Sequence, residues 1–305
     1  MDATLLVLAA GMGSRYGGLK QMDPVGPGGE TLMDYGIFDA MRAGFNRVVF
    51  IIREDFAEAF KRDIASRYEG RIDVGFAYQD MADLPAGFTV PAERGKPWGT
   101  AHAVRAARGV VDTPFAVINA DDFYGRDAYR QMYQFFSDGA AANGNSVEAH
   151  FAMVGYTLAA TLSPHGTVAR GICRTDTGGM LVDVTEMTQL IGVGDGVENR
   201  PADGSVVRLQ GSEPCSMNFW GFTPQLFDFL EELFPLWLKS HVTSSKDEWY
   251  IPFVVDSLVT AGRADVRMLR TEAAWLGLTY RAERESVATR LRQFVDIGEY
   301  PLPLW

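Results

Sequence analysis

Residues 6–21 of the chain, LVLAAGMGSRYGGLKQ, are built like a phosphate-binding loop that follows a strand. Residues 4–9, TLLVLA, form a continuous apolar run that is too short for a helix and suits a strand covered on both faces. The loop departs from the dinucleotide fingerprint because Tyr16 stands where the third glycine belongs. It departs from the Walker motif because Leu19 stands where the lysine belongs.

The residues after the loop complete a β-loop-α-β unit. Thr31 can cap the next helix, Gly44 stands where a helix C-terminus favours glycine, and residues 47–52, RVVFII, form a second buried strand. The alternation continues to residues 114–122, PFAVINADD, and predicts an α/β protein with a doubly wound, mostly parallel sheet. Ligands of such sheets bind beyond the carboxyl ends of the strands, so we expect the glycine loop and the NADD strand end to face one crevice. Helices are also predicted at residues 55–68 and 99–109.

From about residue 143 to residue 222 the pattern changes. Apolar runs such as VEAHFAMVGY alternate with turn-rich stretches such as GVGDGVENRPADG, which predicts a strand-rich, antiparallel second lobe. Helical periodicity then returns in three segments, and the chain ends with EYPLPLW at residues 299–305. The aromatic residues of this end can dock either on a neighbouring copy, which leaves an oligomer open, or on the chain's own core.

Composition excludes several classes of function. Lys and Arg total 28 against 39 for Asp and Glu, and the net charge of -11 would repel nucleic acid, although a small phosphorylated ligand can still bind in a local basic pocket. The two cysteines, Cys173 and Cys215, are too few for a disulfide framework, which suggests a reducing cytoplasm. No apolar stretch is long enough to span a membrane, and Asp2 stands where a signal peptide would be basic, so we expect a cytoplasmic protein.

The glycine loop carries residues that suit a triphosphate. Gly11 and Gly13 let the backbone approach a ligand and turn N–H groups toward it. Arg15 can grip phosphate with its planar fork, and Lys20 supplies a compact charge that can sit between phosphates. Taken alone, the loop is equally well explained as a glycine-rich turn with two solvated basic residues.

Asp121 and Asp122 follow a buried strand in VINADDFYG. Adjacent carboxylates repel one another unless a cation or a donor compensates, so Mg²⁺ is a plausible guest. Alternatively, the pair caps a helix that begins near Arg126.

The segment GKPWGTAHAV opens a helix with Gly99 and Thr100. Gly99 would let a flat nucleobase lie against the backbone, and Thr100 can cap the helix or contact a sugar hydroxyl. Gln79, at the end of its strand, can offer a donor and an acceptor to a pyrimidine edge. Each of these residues, considered alone, is more often structural than functional.

Taken together, the motifs of the first lobe resemble those of the sugar-phosphate nucleotidyltransferase family. LAAGMGSR at residues 8–15 is similar to the family's LAAGxGxR, and KQMDPV at residues 20–25 is similar to KPxxPV with glutamine in place of proline. WGTAHAV looks like the family's GTAxA helix start, and VINADDFYG looks like its strand that ends in the metal-binding aspartate. The resemblance implies Arg15, Lys20 and Mg²⁺-binding Asp121 as the catalytic residues. It implies nucleotide contacts from Leu8, Ala10, Gly11, Gly13, Gln79, Gly99 and Thr100.

The resemblance continues more weakly in the second lobe. Residues 168–186, VARGICRTDTGGMLVDVTE, are similar to a strand-turn-strand in which a glycine and a glutamate bracket the sugar. The resemblance therefore implies sugar-phosphate contacts from Gly171 and Glu186, with Asn218 and Asp122 as further candidates. It implies one nucleotidyltransferase domain over residues 1–305, with a nucleoside triphosphate lobe at about 1–145 and a sugar-phosphate lobe at about 146–305.

Two features depart from the family. The run between Arg15 and Lys20 is shorter than in many relatives. Many relatives also have a second magnesium ligand near the C-terminus, an aspartate or asparagine, but the nearest aligned positions in WLGLTYRAE are Gly277 and Thr279. Thr279, Glu283 or water would then complete the metal shell, or the metal binds differently, or catalysis is impaired.

The resemblance implies that a sugar 1-phosphate attacks the α-phosphorus of a nucleoside triphosphate and releases pyrophosphate. UTP or dTTP suits Gln79 beside Gly99 better than a purine nucleotide does, and CTP comes next. One alternative is a catalytically silent protein that binds a nucleotide-sugar or acts as a regulator. A dinucleotide-dependent oxidoreductase is the weaker alternative, because the third glycine is misplaced and such loops need neither Arg15 nor Lys20.

Overall fold

A computed structural model describes residues 1–11, 23–139 and 147–305 of the chain. Its helices are α1 Leu32–Ala43, α2 Ala57–Asp63, α3 Thr100–Arg105, α4 Arg126–Ser137, α5 Leu226–His241, α6 Ile251–Thr260 and α7 Arg284–Asp296. Its strands are β1 Thr4–Leu8, β2 Arg47–Ile52, β3 Asp73–Tyr78, β4 Phe115–Asn119, β5 Asp122–Phe123, β6 Ala149–Thr157, β7 Val168–Thr175, β8 Leu181–Val193, β9 Gly196–Asn199, β10 Val207–Leu209, β11 Pro214–Phe222, β12 Ala264–Arg270 and β13 Leu276–Gly277.

The first part of the chain forms the predicted parallel sheet in the order β4-β1-β2-β3. β1, β2 and β4 are mostly buried, whereas β3 at the edge is largely half-buried. The helix α1 starts at Thr31, whose hydroxyl accepts from the Asp34 backbone while the Asp34 carboxylate accepts from the Thr31 backbone. The helix ends at Gly44, which has a left-handed φ of 118°. Both predicted helix ends are therefore confirmed.

The second part of the chain extends the same sheet with antiparallel strands. β11 pairs antiparallel with β4, β7 and β6, and the order continues from β7 through β8 and β9 to β10. The α/β fold class and the strand-rich second part are confirmed, while the division of function between two lobes stays a prediction. The junction of the two parts is the edge between β4 and β11, where the candidate site lies.

The segment 55–68, predicted as one helix, is interrupted. Only Ala57–Asp63 is α-helical, and 3-10 turns flank it on both sides. The α-helix ends with Ile64 as its C-cap, and the chain then buries Tyr68, whose hydroxyl donates to the Asp34 carboxylate at 2.6 Å. Burial of this ring against the core outweighs continued helical periodicity. The helix predicted at residues 99–109 likewise ends early, at Arg105.

The C-terminal segment docks on the chain's own core. Tyr300 and Leu304 are buried, and the Trp305 ring packs edge-on against Phe38 and Tyr68 at centroid distances of 5.5 and 5.7 Å. These contacts account for its aromatic residues without a second copy of the chain.

Candidate active site

A pocket of about 300 Å³ opens beyond the end of β4, where the parallel and antiparallel parts of the sheet meet. Seven of the residues proposed from the sequence line it: Thr100, Asp121, Asp122, Gly171, Glu186, Asn218 and Thr279. Five polar or aromatic residues that the sequence did not single out line it as well: Asn119, Arg170, Ser216, Tyr250 and Trp275. Motifs far apart in the chain therefore share one site.

The register of two parallel strands brings the residues before the glycine loop to the end of β4. Leu8 at the end of β1 lies opposite Asn119 at the end of β4, and the Leu8 carbonyl accepts from the Ala120 backbone N–H at 3.3 Å. Gly11 and Asp121 follow these paired residues within three positions, and no atom of the described residues lies within 4 Å of a Cβ atom built at Gly11. The strand ends thus meet at one edge of the sheet, as predicted.

The other residues assigned to the start of this loop differ in their surroundings. Ala10 is buried and Leu8 packs against the same hydrophobic cluster, so both side chains belong to the core at the end of β1. Gly13, Arg15 and Lys20 lie outside the described residues.

A hydrogen-bond network fixes the carboxylate of Asp122. The Asn119 amide donates to Asp122 Oδ2 at 2.8 Å, and the Asn218 amide donates to Asn119 Oδ1 at 2.7 Å. Trp220 Nε1 in turn donates to Asn218 Oδ1 at 3.1 Å. Asn218 takes a left-handed φ of 64° where the register of β11 shifts, so its side chain points across the strands at Asn119. Asp122 is consequently buried and held, 7% exposed.

Asp121 lines the pocket in a more open position and is half-buried. Asp121 and Asp122 do not cap the next helix, which was the alternative interpretation of this pair. The helix α4 begins after Gly125, and no side chain caps it. Among the described residues no group of three or more His, Cys, Asp or Glu side chains could cage a metal. Mg²⁺ needs only one or two protein carboxylates when phosphates supply other ligands, so Asp121 with the Thr279 hydroxyl fits this ion.

The predicted sugar contacts, Gly171 and Glu186, lie directly opposite each other on β7 and β8. On its other side Gly171 pairs with Ser216 of β11. A Cβ atom at Gly171 would approach Val184 Cγ1 to 2.8 Å and Glu186 Oε2 to 3.4 Å, so the glycine keeps the pocket floor open. Glu186 is exposed to solvent along part of its side chain. Desolvation by the surrounding protein nevertheless raises the pKa of its carboxyl group, and the positive charge of Arg170 opposes that rise.

Arg170 is a pocket residue that sequence reasoning missed. Its side chain is buried, its guanidinium donates to the hydroxyl and the carbonyl of Thr161 and to the Ala169 carbonyl, and it stacks 4.9 Å above the Trp275 ring. Burial lowers the pKa of Arg170, with the charges of Asp122 and Glu186 acting in the other direction. The only available signal was its place directly before Gly171 in a strand already assigned to the sugar.

Gln79 lies near the edge of the parallel part of the sheet. Its side-chain amide belongs to a hydrogen-bond network in which the donors and acceptors can be assigned. Its Nε2 donates to the Gly99 carbonyl and to His102 Nδ1, both at 3.3 Å. His102 Nε2 contacts the Asp83 carbonyl at 3.3 Å, and because a carbonyl only accepts, Nε2 carries the proton and Nδ1 is the acceptor. His102 is fully buried, which lowers its pKa to about 4, so the ring is neutral near pH 7.

Gly99 and Thr100 have structural partners in α6 and the segment before it. A Cβ atom at Gly99 would lie 2.5 Å from the Trp249 carbonyl oxygen, and its φ of 105° also favours glycine. The Thr100 hydroxyl accepts from the Ile251 backbone N–H at 3.1 Å rather than capping its own helix, whose N-cap is Gly99. These contacts anchor the start of α3 beside the pocket.

Gly277, one of the two positions that the family resemblance aligns with a second magnesium ligand, lies directly across from Asp122. Gly277 pairs with Asp122 between β13 and β5, and a Cβ atom there would lie 3.0 Å from Asp122 Oδ1 and 2.3 Å from the Trp275 ring. The indole therefore occupies the space of a side chain at 277. Glu283 does not line the pocket; its carboxylate accepts from the Tyr280 backbone N–H at 2.8 Å and caps a 3-10 turn.

Comparisons with known proteins agree with this architecture. Residues 4–154 match the sequence model of the family described as Nucleotidyl transferase. No curated protein sequence gives a significant match. The fold is similar to that of a UDP-glucose pyrophosphorylase complexed with UDP-glucose, with TM-score 0.62 and 15% identity over 96% of this chain and 99% of that one. It is also similar to a protein described as a glucose-1-phosphate thymidylyltransferase from Bacillus anthracis in complex with a sucrose, with TM-score 0.63 and 14% identity over 95% of both chains.

Two further findings bear on the sequence expectations. No helix among the described residues is both long and apolar enough to cross a membrane. Both cysteines are buried and neither forms a disulfide.

Proposed function

Since residues 4–154 match the sequence model of the Nucleotidyl transferase family, we propose that this protein transfers a nucleoside monophosphate from a nucleoside triphosphate to a sugar 1-phosphate. The observation that carries this proposal is the shared pocket, which joins Asp121 to Gly171, Glu186 and Asn218. These residues come from separate motifs, each assigned from the sequence to the metal or to the sugar phosphate. A site at the carboxyl end of β4 is also where an α/β sheet binds its ligands.

In the proposed reaction a phosphate oxygen of the acceptor attacks the α-phosphorus in line, and the bond from that phosphorus to the β,γ-pyrophosphate breaks. The attacking oxygen is already anionic near neutral pH, so no side chain has to remove a proton. The protein must hold two polyanions together and offset the charge that develops in the transition state. We assign the triphosphate to Arg15 and Lys20. Asp121, with Thr279, would hold Mg²⁺, which supplies positive charge at the phosphates.

The Gln79 network supports a base that donates a hydrogen bond. Both N–H groups of its amide are directed at protein acceptors, the Gly99 carbonyl and His102 Nδ1, which leaves the carbonyl oxygen to contact a ligand. Uracil and thymine present an N3–H donor at their pairing edge, whereas cytosine presents an acceptor at N3. We therefore propose UTP or dTTP as the nucleotide, in preference to CTP.

The test is a screen of nucleoside triphosphates against a panel of sugar 1-phosphates, monitored by release of pyrophosphate with Mg²⁺ present. We expect turnover with UTP or dTTP and little with CTP. Absence of pyrophosphate release with every pair, from folded protein that binds the triphosphates, would contradict the proposed reaction.

Gly277 favours a second candidate, a silent protein that binds a nucleotide-sugar without making it. Neither Gly277 nor Thr279, the two positions that the resemblance aligns with a second magnesium ligand, carries a carboxylate, and Trp275 fills the space of a side chain at 277. This candidate predicts calorimetric binding of a nucleotide-sugar together with no exchange of labelled pyrophosphate. Exchange at a measurable rate would exclude it.

A further inference from the structure

Arg170 is the one positively charged side chain among the described residues that line the pocket. Three carboxylates line the same pocket, those of Asp121, Asp122 and Glu186. Arg170 is therefore the described lining side chain that can attract an anionic substrate, and a phosphate bound beside carboxylates needs such a cationic partner.

The guanidinium of Arg170 keeps donor capacity for such a partner. Its Nε donates to Thr161 Oγ1 at 3.2 Å, one Nη to the Thr161 carbonyl at 2.6 Å and the other Nη to the Ala169 carbonyl at 2.7 Å. An arginine has five N–H groups, so these three bonds leave one N–H on each terminal nitrogen. Two parallel N–H groups match two oxygens of a phosphate or a carboxylate.

The charge of Arg170 also lacks a close anion within the described parts of the chain. Its partners there are neutral oxygens and the Trp275 ring, and it forms no ion pair within 4 Å, unlike the neighbouring Arg174, which pairs with Asp183. Arg170 as a whole is only 8% exposed. A buried cation held in place by neutral dipoles and one aromatic face is preorganised for an anion that arrives with the ligand.

We propose that Arg170 binds the phosphate of the acceptor substrate and thereby selects sugar phosphates over neutral sugars. The proposal rests on the proposed function for the identity of that acceptor. Trp275 supports the guanidinium from one face, and the absence of a side chain at Gly277 gives the indole its room. Trp275 thus occupies the space beside Gly277, and Arg170 lies against its ring.

The test measures binding by calorimetry without a nucleoside triphosphate, with Arg170→Met, Arg170→Lys and the control Arg174→Met on the same strand. The probes are glucose 1-phosphate, inorganic phosphate, glucuronic acid and glucose. We expect Arg170→Met to raise the Kd of glucose 1-phosphate about 10- to 100-fold, as for loss of charge-assisted hydrogen bonds, and to weaken inorganic phosphate similarly. Arg170→Lys keeps the charge without the fork and should weaken both probes less. Arg174→Met should bind like the unmodified protein.

Three results would overturn the proposal. The first is unchanged binding of glucose 1-phosphate in both Arg170 variants. If thermal melting shows that Arg170→Met does not fold, unchanged binding in Arg170→Lys alone is the contradicting result. The second is dependence on Arg170 for glucuronic acid but not for glucose 1-phosphate, which would assign the guanidinium to a sugar carboxylate. The third is equal binding of glucose and glucose 1-phosphate by the unmodified protein.

Binding and turnover separate this proposal from the proposed function. Arg170-dependent phosphate binding without pyrophosphate release would support the anion site and contradict the reaction. Pyrophosphate release with acceptor kinetics unaffected by Arg170→Met would support the reaction and contradict the anion site.

Discussion

The two halves of the sheet build their parts of the site by different means. In the parallel half the strands end at the site, where Leu8 pairs with Asn119 and Thr100 follows the turn at Gly99. In the antiparallel half, paired positions on neighbouring strands, such as Gly171 and Glu186, line the pocket side by side. Backbone turns permit few residue types, whereas a pocket wall can be built from many. Specific motifs are therefore expected in the first half and weaker ones in the second.

The largest effect is expected at the metal position of the parallel half. Asp121→Asn keeps the shape of the side chain and removes its charge, so turnover should fall about 10²-fold to 10³-fold, the range for one positioned electrostatic group. Pyrophosphate release measures the effect, with exposed Asp138→Asn after α4 as the control. Near-normal turnover in Asp121→Asn would show that the charge needed for the reaction comes from elsewhere.

Alanine substitutions at Gly277 and Gly99 test how rigid the protein is on the two sides of the site. Gly277→Ala brings a methyl group against the Trp275 ring and should destabilise the fold by about 1–3 kcal/mol, as overpacking does. Gly99→Ala should destabilise it more, because its neighbour is the Trp249 backbone and its φ of 105° disfavours alanine.

Urea unfolding measures both glycine variants, with Gly95→Ala as a control since nothing lies within 4 Å of a Cβ atom there. Equal stability of Gly277→Ala and Gly95→Ala would mean that Trp275 moves aside freely. The indole would then not be the fixed support that Arg170 is proposed to have.

A smaller effect is expected at the wall of the antiparallel half. Glu186→Gln should raise the KM for the sugar phosphate about tenfold and leave the KM for the nucleoside triphosphate unchanged, because one charge-assisted hydrogen bond to the sugar is lost. Exposed Glu54→Gln, beside the parallel strands, is the control. A rise in the KM for the triphosphate alone would place Glu186 with the nucleotide and remove the proposed division between the halves.

The same contrast explains what the sequence could predict. The order of strands and helices, the caps Thr31 and Gly44, and the meeting of β1 with β4 follow from local periodicity and from the geometry of parallel sheets. Seven pocket residues were also identified, because their motifs are local.

Arg170 was missed because its significance depends on three distant segments. Thr161 precedes β7, Trp275 lies more than 100 residues later, and the missing side chain of Gly277 makes room for the indole. Asn119 was missed for a similar reason, since only the left-handed turn at Asn218 places a second amide against it. Contacts of this kind are decided by tertiary structure and leave no periodic pattern.

The smallest effect is expected in the base-recognition network of the parallel half. His102→Leu removes the acceptor that holds one N–H of Gln79, so the amide can turn and present either its oxygen or its nitrogen. The preference for UTP over CTP should fall about threefold to tenfold, the value of one neutral hydrogen bond. His102→Gln retains a side-chain acceptor and serves as the matched control. Unchanged preference in His102→Leu would show that Gln79 is oriented by the Gly99 carbonyl alone.

The same histidine gives this prediction a pH dependence. Burial lowers the pKa of His102 from 6.5 to about 4, with Arg105 and Arg108 adding to the decrease and Asp83 opposing it. The ring stays neutral from pH 6 to 9, so the preference for UTP should be constant there. As the pH falls from 6.5 toward 4, the unfolded chain gains a proton that the folded protein does not bind. Stability should therefore decrease by up to about 3 kcal/mol on acidification, and urea unfolding of His102→Gln should lack this component.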